Sequence, residues 1–204
     1  MSKALLKKEL AHLDHDQLVE VILNAYSSSK EAKDYFEFFL NPDADSLLDK
    51  KVDIIAKELT RSKRGYSKAR ISIIRKTIKD FASYGVGDEY VYRLIYRAIR
   101  MIIGMERYYY YPDALNNGVL GLAADFIVLA DKLECITDAA ELLDKIDSDD
   151  VGRPGFRSKV LHAARQTIRE FSTKLLWVFI SLAPRIIQRF SEKKSNLATH
   201  QRSQ

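Results

Sequence analysis

Apolar residues recur at steps of three and four through nearly the whole chain, and no stretch sustains the two-residue alternation of a half-buried strand. A chain patterned this way folds by packing helix on helix. The most regular instance is 158–183, where Leu161, Ala164, Ile168, Phe171, Leu175, Val178 and Leu182 form one stripe. Trp177 and Phe179 widen it past a narrow coiled-coil seam, so a central bundle helix is expected; a homo-oligomer contact is the other use of the same face. Eight glycines and four prolines in 204 residues are too few breakers for a turn-rich all-β fold, and 47% hydrophobic residues exclude intrinsic disorder. The expected fold class is all-α: a single-domain multi-helix bundle of roughly eight helices over 1–190, followed by a flexible polar tail at 191–204.

Local signals divide the chain. Ser2 is positioned to cap a short helix carrying Leu5, Leu6 and Leu10, and Asp14 or His15 opens a second with Leu18, Val21, Ile22 and Ala25 at core spacing. Ser29 precedes the aromatic cluster Tyr35, Phe36, Phe38 and Phe39, which Asn41-Pro42 ends. Further helices are expected over 46–60, from a cap at Ser67, over 88–109 after Gly85-Val86-Gly87, from Pro112-Asp113 to about Cys135, and from a cap at Thr137. Between the first and second of these, Arg61 to Tyr66 reads as a basic loop containing Gly65. Asp147 to Gly155, with three aspartates, two glycines and Pro154, is the clearest loop and the best place for a subdomain boundary.

Several chemistries lack their residues. One cysteine, Cys135, excludes an intramolecular disulfide and a thiolate zinc cluster, and it suits a reducing cytoplasm. The N-terminus, broken by Lys3, Lys7, Lys8 and Glu9, has no secretory core. The longest apolar run, 175–183, is far short of the roughly 20 residues that span a bilayer. Glu9 and His12 make one Glu-x-x-His pair, whereas a di-iron bundle needs two. No cofactor or metal is therefore expected, and no catalytic constellation is proposed.

The modest net charge of +5 conceals four blocks: −4 over 1–60, +8 over 61–111, −8 over 112–152 and +9 over 153–204. On the helix after Ser67, Lys68, Arg75, Lys76 and Lys79 lie opposite the Ile71, Ile74, Ile78 and Phe81 stripe. With Arg61, Lys63, Arg64 and Tyr66 they form either a solvated face or a phosphate-facing patch. The next helix sets Arg93, Arg97, Arg100 and Arg107 against a core face of Val91, Leu94, Ile95, Ala98, Ile102 and Met105. Those arginines are expected to pair with the acidic block, at Asp125, Asp131, Glu134, Asp138, Glu141 and Asp144; an anion site or a partner's acidic surface is the alternative. Tyr108 to Tyr111 either pack at a helix end or stack on unpaired bases. Gly152-Arg153-Pro154-Gly155 leads into a helix start with Arg153, Arg157 and Lys159 adding charge, and reads either as a helix-capping loop or as a phosphate contact. Together these point to a non-catalytic binding or scaffold protein acting on a macromolecule through charged helical faces. Protein is the expected partner, and nucleic acid bound at 61–79 is the alternative.

The N-terminal stretch carries a resemblance. Leu6-Lys7-Lys8-Glu9-Leu10, Leu13, Gln17-Leu18-Val19-Glu20-Val21-Ile22-Leu23, Tyr26, Lys33-Asp34-Tyr35-Phe36-Glu37 and Leu40-Asn41-Pro42 resemble the opening of an uncharacterised bacterial family, DUF6155. That likeness implies a bacterial, cytosolic helical protein and transfers no chemistry.

Overall fold

In the computed structural model, residues 2–171 are described, and among them nine helices carry the architecture. Three come first: α1 (Lys3–Leu10), α2 (His15–Ser28) and α3 (Lys30–Leu40). Each begins where a short polar side chain accepts a free helical N–H: Ser2 from Leu5, Asp14 from Gln17 in a reciprocal capping box, and Ser29 from Ala32. Yet none of these helices has a buried residue. Of the expected core positions on α2, Leu18 is half-buried and Val21, Ile22 and Ala25 are exposed. The pattern that specifies these helices therefore finds no core among the described residues.

The core is built by the helices that follow. They are α4 (Ala44–Leu59), α5 (Ile71–Ser83), α6 (Asp88–Met105), α7 (Asp113–Lys132), α8 (Ile136–Ser148) and α9, which spans 154–171 as far as it is described. The central helix is α6, with eight buried residues packed against α4, α5 and α7. Its Tyr92 ring stacks on Phe126 of α7 at 4.6 Å. Helix α7 meets α5 at Gly118, where a Cβ would come within 2.5 Å of Ile71, so only glycine permits that approach. By length and composition α7 is apolar enough to cross a membrane. Within the fold, Leu115, Val119, Leu122, Ala123, Phe126, Ile127 and Ala130 are its buried face, as in a bundle core helix. One cluster of buried residues runs from Leu48 to Ala164, on both sides of the 147–155 loop.

Several boundaries differ from expectation. The 61–66 segment is not an open loop: β1 (Ser62–Lys63) and β2 (Tyr66–Ser67) pair antiparallel across Arg64-Gly65. Ser67 does not cap α5; its Oγ accepts from Ala69 N, and α5 starts later, after Arg70, without a side-chain cap. Thr137 likewise lies inside α8, whose cap position is Cys135. Helix α6 stops at Met105, not Tyr109, because Tyr110 leaves the helix to pair with the hairpin. The stripe beyond Phe171, the break at Pro184 and the tail at 191–204 lie outside the described residues.

Candidate partner-binding face

The hairpin turn is built on two residues at positive φ, Arg64 (52°) and Gly65 (81°), the conformation whose twist matches that of the flanking strands. Glycine adopts it freely, but an arginine there is strained. The hairpin then acquires a third strand-like partner. Tyr110 N donates to Gly65 O and Ser67 N donates to Tyr110 O, each at 2.9 Å, so two sequence signals 44 residues apart are brought side by side. The Tyr66 and Tyr110 rings lie 5.6 Å apart, tilted by 35°. Both are exposed, at 61% and 62%, and Tyr108 is exposed at 69%.

A third signal arrives from the loop before α9. The Arg153 guanidinium sits 5.4 Å above the Tyr110 ring, donates to Arg107 O at 3.2 Å and lies 3.6 Å from Glu106 Oε1. The Tyr110 ring also borders a cavity of about 360 Å³, which Glu106, Tyr111, Asn116, Asn117, Phe156 and Lys159 line. Tyr111 turns inward, donating its hydroxyl to Ile102 O at 2.7 Å and meeting Phe156 edge-on at 5.8 Å. Burial pushes the Glu106 carboxyl above its usual range, against the pull of Arg153, and its Oε2 is buried without a hydrogen-bond partner.

Most of the expected arginine surface is occupied within the fold. Arg93 pairs with Asp45 at 3.0 Å and Arg97 with Asp49 at 2.7 Å, so their partners are on α4 and not in the acidic block. The charge blocks could not reveal this, because α4 belongs to the segment of net −4 and its aspartates face α6 only after packing. Arg100 and Arg107 do reach the acidic block, at Asp149 and Asp150, which are not the members of it that were expected. Arg75 pairs with Asp125 at 2.6 Å, as the acidic block would allow. Arg157 is not a surface residue: it is buried, donating to Asp147 Oδ1, Asp150 Oδ1 and Val151 O. Its hydrogen bond and charge hold the Asp150 carboxyl below its ordinary range. Arg61 turns back onto Glu58.

Lys63, Arg64, Lys68 and Lys79 are exposed with no carboxylate in ion-pair range among the described residues. Lys79 lies about 12 Å of helical rise beyond Ile71, so the basic patch at 61–79 is spread out along α5. Within the hairpin itself the cations without an ion pair to the described residues are Lys63, the register partner of Tyr66, and Arg64 in the turn. One residue that sequence reasoning missed is Glu58, which anchors this face. It accepts from Arg61 Nη1 at 2.9 and 3.0 Å, from Arg70 N at 2.9 Å and from Arg70 Nε at 3.2 Å. Burial acts to raise its pKa, but those bonds outweigh it and hold the carboxyl below its ordinary range. Its only sequence signal is a carboxylate in the last turn of a helix, between Ile55 and Leu59 of the apolar stripe. Among the described residues no group of His, Cys, Asp and Glu is arranged to hold a metal.

A family model described as a family of unknown function, DUF6155, matches residues 1–103. The chain belongs to that family. The DUF6155 match covers α1 to α5 and α6 as far as Ile103, so Lys63, Arg64 and Tyr66 lie inside it, whereas Tyr108, Tyr110 and Arg153 lie beyond it. No curated protein and no solved structure matches the chain.

Proposed function

We propose that this DUF6155 protein is a non-catalytic binding protein that docks an acidic protein surface on the Tyr66–Tyr110 face. The observation that carries the proposal is the backbone pairing of Tyr110 with the hairpin. It holds two exposed rings beside two cations, Lys63 and Arg64, that have no ion-pair partner among the described residues. Tyrosine and arginine are the residues that concentrate binding energy at protein interfaces, because they bring large rigid area and charge at small entropic cost. The hairpin's attachment to Glu58 and Tyr110 pre-organises that area. A reducing bacterial cytoplasm is the compartment proposed, in keeping with the lone thiol of Cys135.

Nucleic acid is the second reading, favoured by the same tilted tyrosine pair, which offers stacking platforms beside backbone-neutralising cations. Two probes separate the two: poly-glutamate and a mixed-sequence single-stranded oligonucleotide, each titrated against the full chain at low and physiological salt. The acidic polypeptide is expected to bind, and the Tyr66→Ala/Tyr110→Ala variant to lose about tenfold or more in affinity. Oligonucleotide binding alone, falling steeply with salt, would transfer the face to nucleic acid. Binding of neither probe at low salt would overturn both readings.

A further inference from the structure

Helices α1 to α3 leave nine large hydrophobic residues exposed, including Ile22, Leu23, Tyr35, Phe39 at 67% and Leu40 at 71%. Helices of 8, 14 and 11 residues are too short to hold their conformation in water by propensity alone, however well capped. Something must cover them. Their attachment to the bundle is narrow: Tyr35 and Phe38 touch Tyr84 at the end of α5, at ring distances of 6.0 and 5.8 Å. A cleft of about 460 Å³ lies beside this contact, between α3 and α4, with Phe38, Leu47 and Ile54 among its walls.

The course of α9 indicates the cover. Arg157 pairs with Asp147 and Asp150, and Arg165 with Asp144, so α9 runs antiparallel to α8 and back toward Cys135. The Cys135 end of α8 lies beside Tyr92, in the second turn of α6. Tyr84 is only four residues before α6 begins, so the described chain ends heading for the end of the bundle where α3 is attached. Beyond Phe171 the sequence continues for 33 residues. They include Leu175, Leu176, Trp177, Val178, Phe179 and Ile180, and six basic residues against one acidic. Helices α2 and α3 carry five carboxylates, Asp16, Glu20, Glu31, Asp34 and Glu37, against two lysines.

We infer that the apolar face of α2 and α3 is the docking surface for the chain's own segment 174–190, which covers it within one molecule. Apolar surface meets apolar surface, and the cations Lys174, Arg185 and Arg189 meet the carboxylates at its rim. Amide hydrogen exchange on the full chain, at concentrations where it is monomeric, tests this directly. In Val178→Asp and Leu182→Asp variants, α2 and α3 should exchange about tenfold faster or more, with α6 and α7 unchanged as evidence that the bundle still folds. Zero-length carboxyl-to-amine cross-linking of the monomer should join Lys174 to a carboxylate of α2 or α3. Identical α2 and α3 exchange in wild type and both variants would overturn the inference. So would cross-links found only between two chains, which would make a second copy the occupant.

Discussion

Replacing Glu58 with alanine should loosen the whole tyrosine face. The Glu58 side chain is 8% exposed, while Arg61 and Arg70 remain about half exposed, at 47% and 58%. Water can therefore rescue both guanidinium groups, and their ion pairs contribute little by themselves. The backbone N–H of Arg70 is the less replaceable donor, since its acceptor is a buried carboxylate and α5 starts after Arg70 without a side-chain cap. Losing one charge-assisted bond to a backbone donor, plus part of two exposed ion pairs, costs about 2–3 kcal/mol. For a chain of 204 residues this lowers Tm by roughly 5–10 °C. Glu58→Gln keeps an acceptor for Arg70 N and should lose about half as much. The sign with pH is determined by the depressed carboxyl: its stabilisation is present above the ordinary glutamate range and disappears as pH falls through the lowered value. Thermal melts of wild type and Glu58→Ala should therefore diverge at neutral pH and converge in acid. A neutral-pH difference within a degree, or one that persists unchanged in strong acid, would refute the anchoring role.

Three further substitutions probe other parts of the same architecture. Gly152 has a φ of 72°, and a Cβ there would overlap the Ile103 carbonyl; Gly152→Ala should cost about 3 kcal/mol or more, read as a shift in denaturation midpoint. Glu106 has its carboxyl raised by burial, so its ionisation opposes folding increasingly as pH rises past the ordinary glutamate range. Glu106→Met should raise Tm at neutral pH, with the gain vanishing in melts at about pH 4 and below. Arg64→Asn relieves an arginine at positive φ and should stabilise by about 0.5–1 kcal/mol in denaturant titrations while weakening poly-glutamate binding. A variant that binds as well as wild type would remove Arg64 from the face.

The helices were readable because their determinants are local. Ser2, Asp14 and Ser29 cap by reaching three residues along their own chain, and Asn41-Pro42 and Gly85-Val86-Gly87 stop helices through their own backbone restrictions. The same locality explains the errors at Ser67 and Thr137, where a competent capping residue was overruled by its surroundings. Ser67 went to a strand because Tyr110, 43 positions away, completes its hydrogen bonding.

Composition and pattern alone determined that this chain is of the all-α class and that it has one thiol. Only the tertiary structure decided which carboxylates serve. An arginine on α6 can be placed on a face by its 100° step, but the acid opposite depends on how α4 and the loop after α8 dock against that face. The candidate face has the same origin. A basic turn, a run of tyrosines and a loop arginine have separate and ordinary local explanations, and they become one surface because backbone pairing between distant segments holds them within a few ångströms.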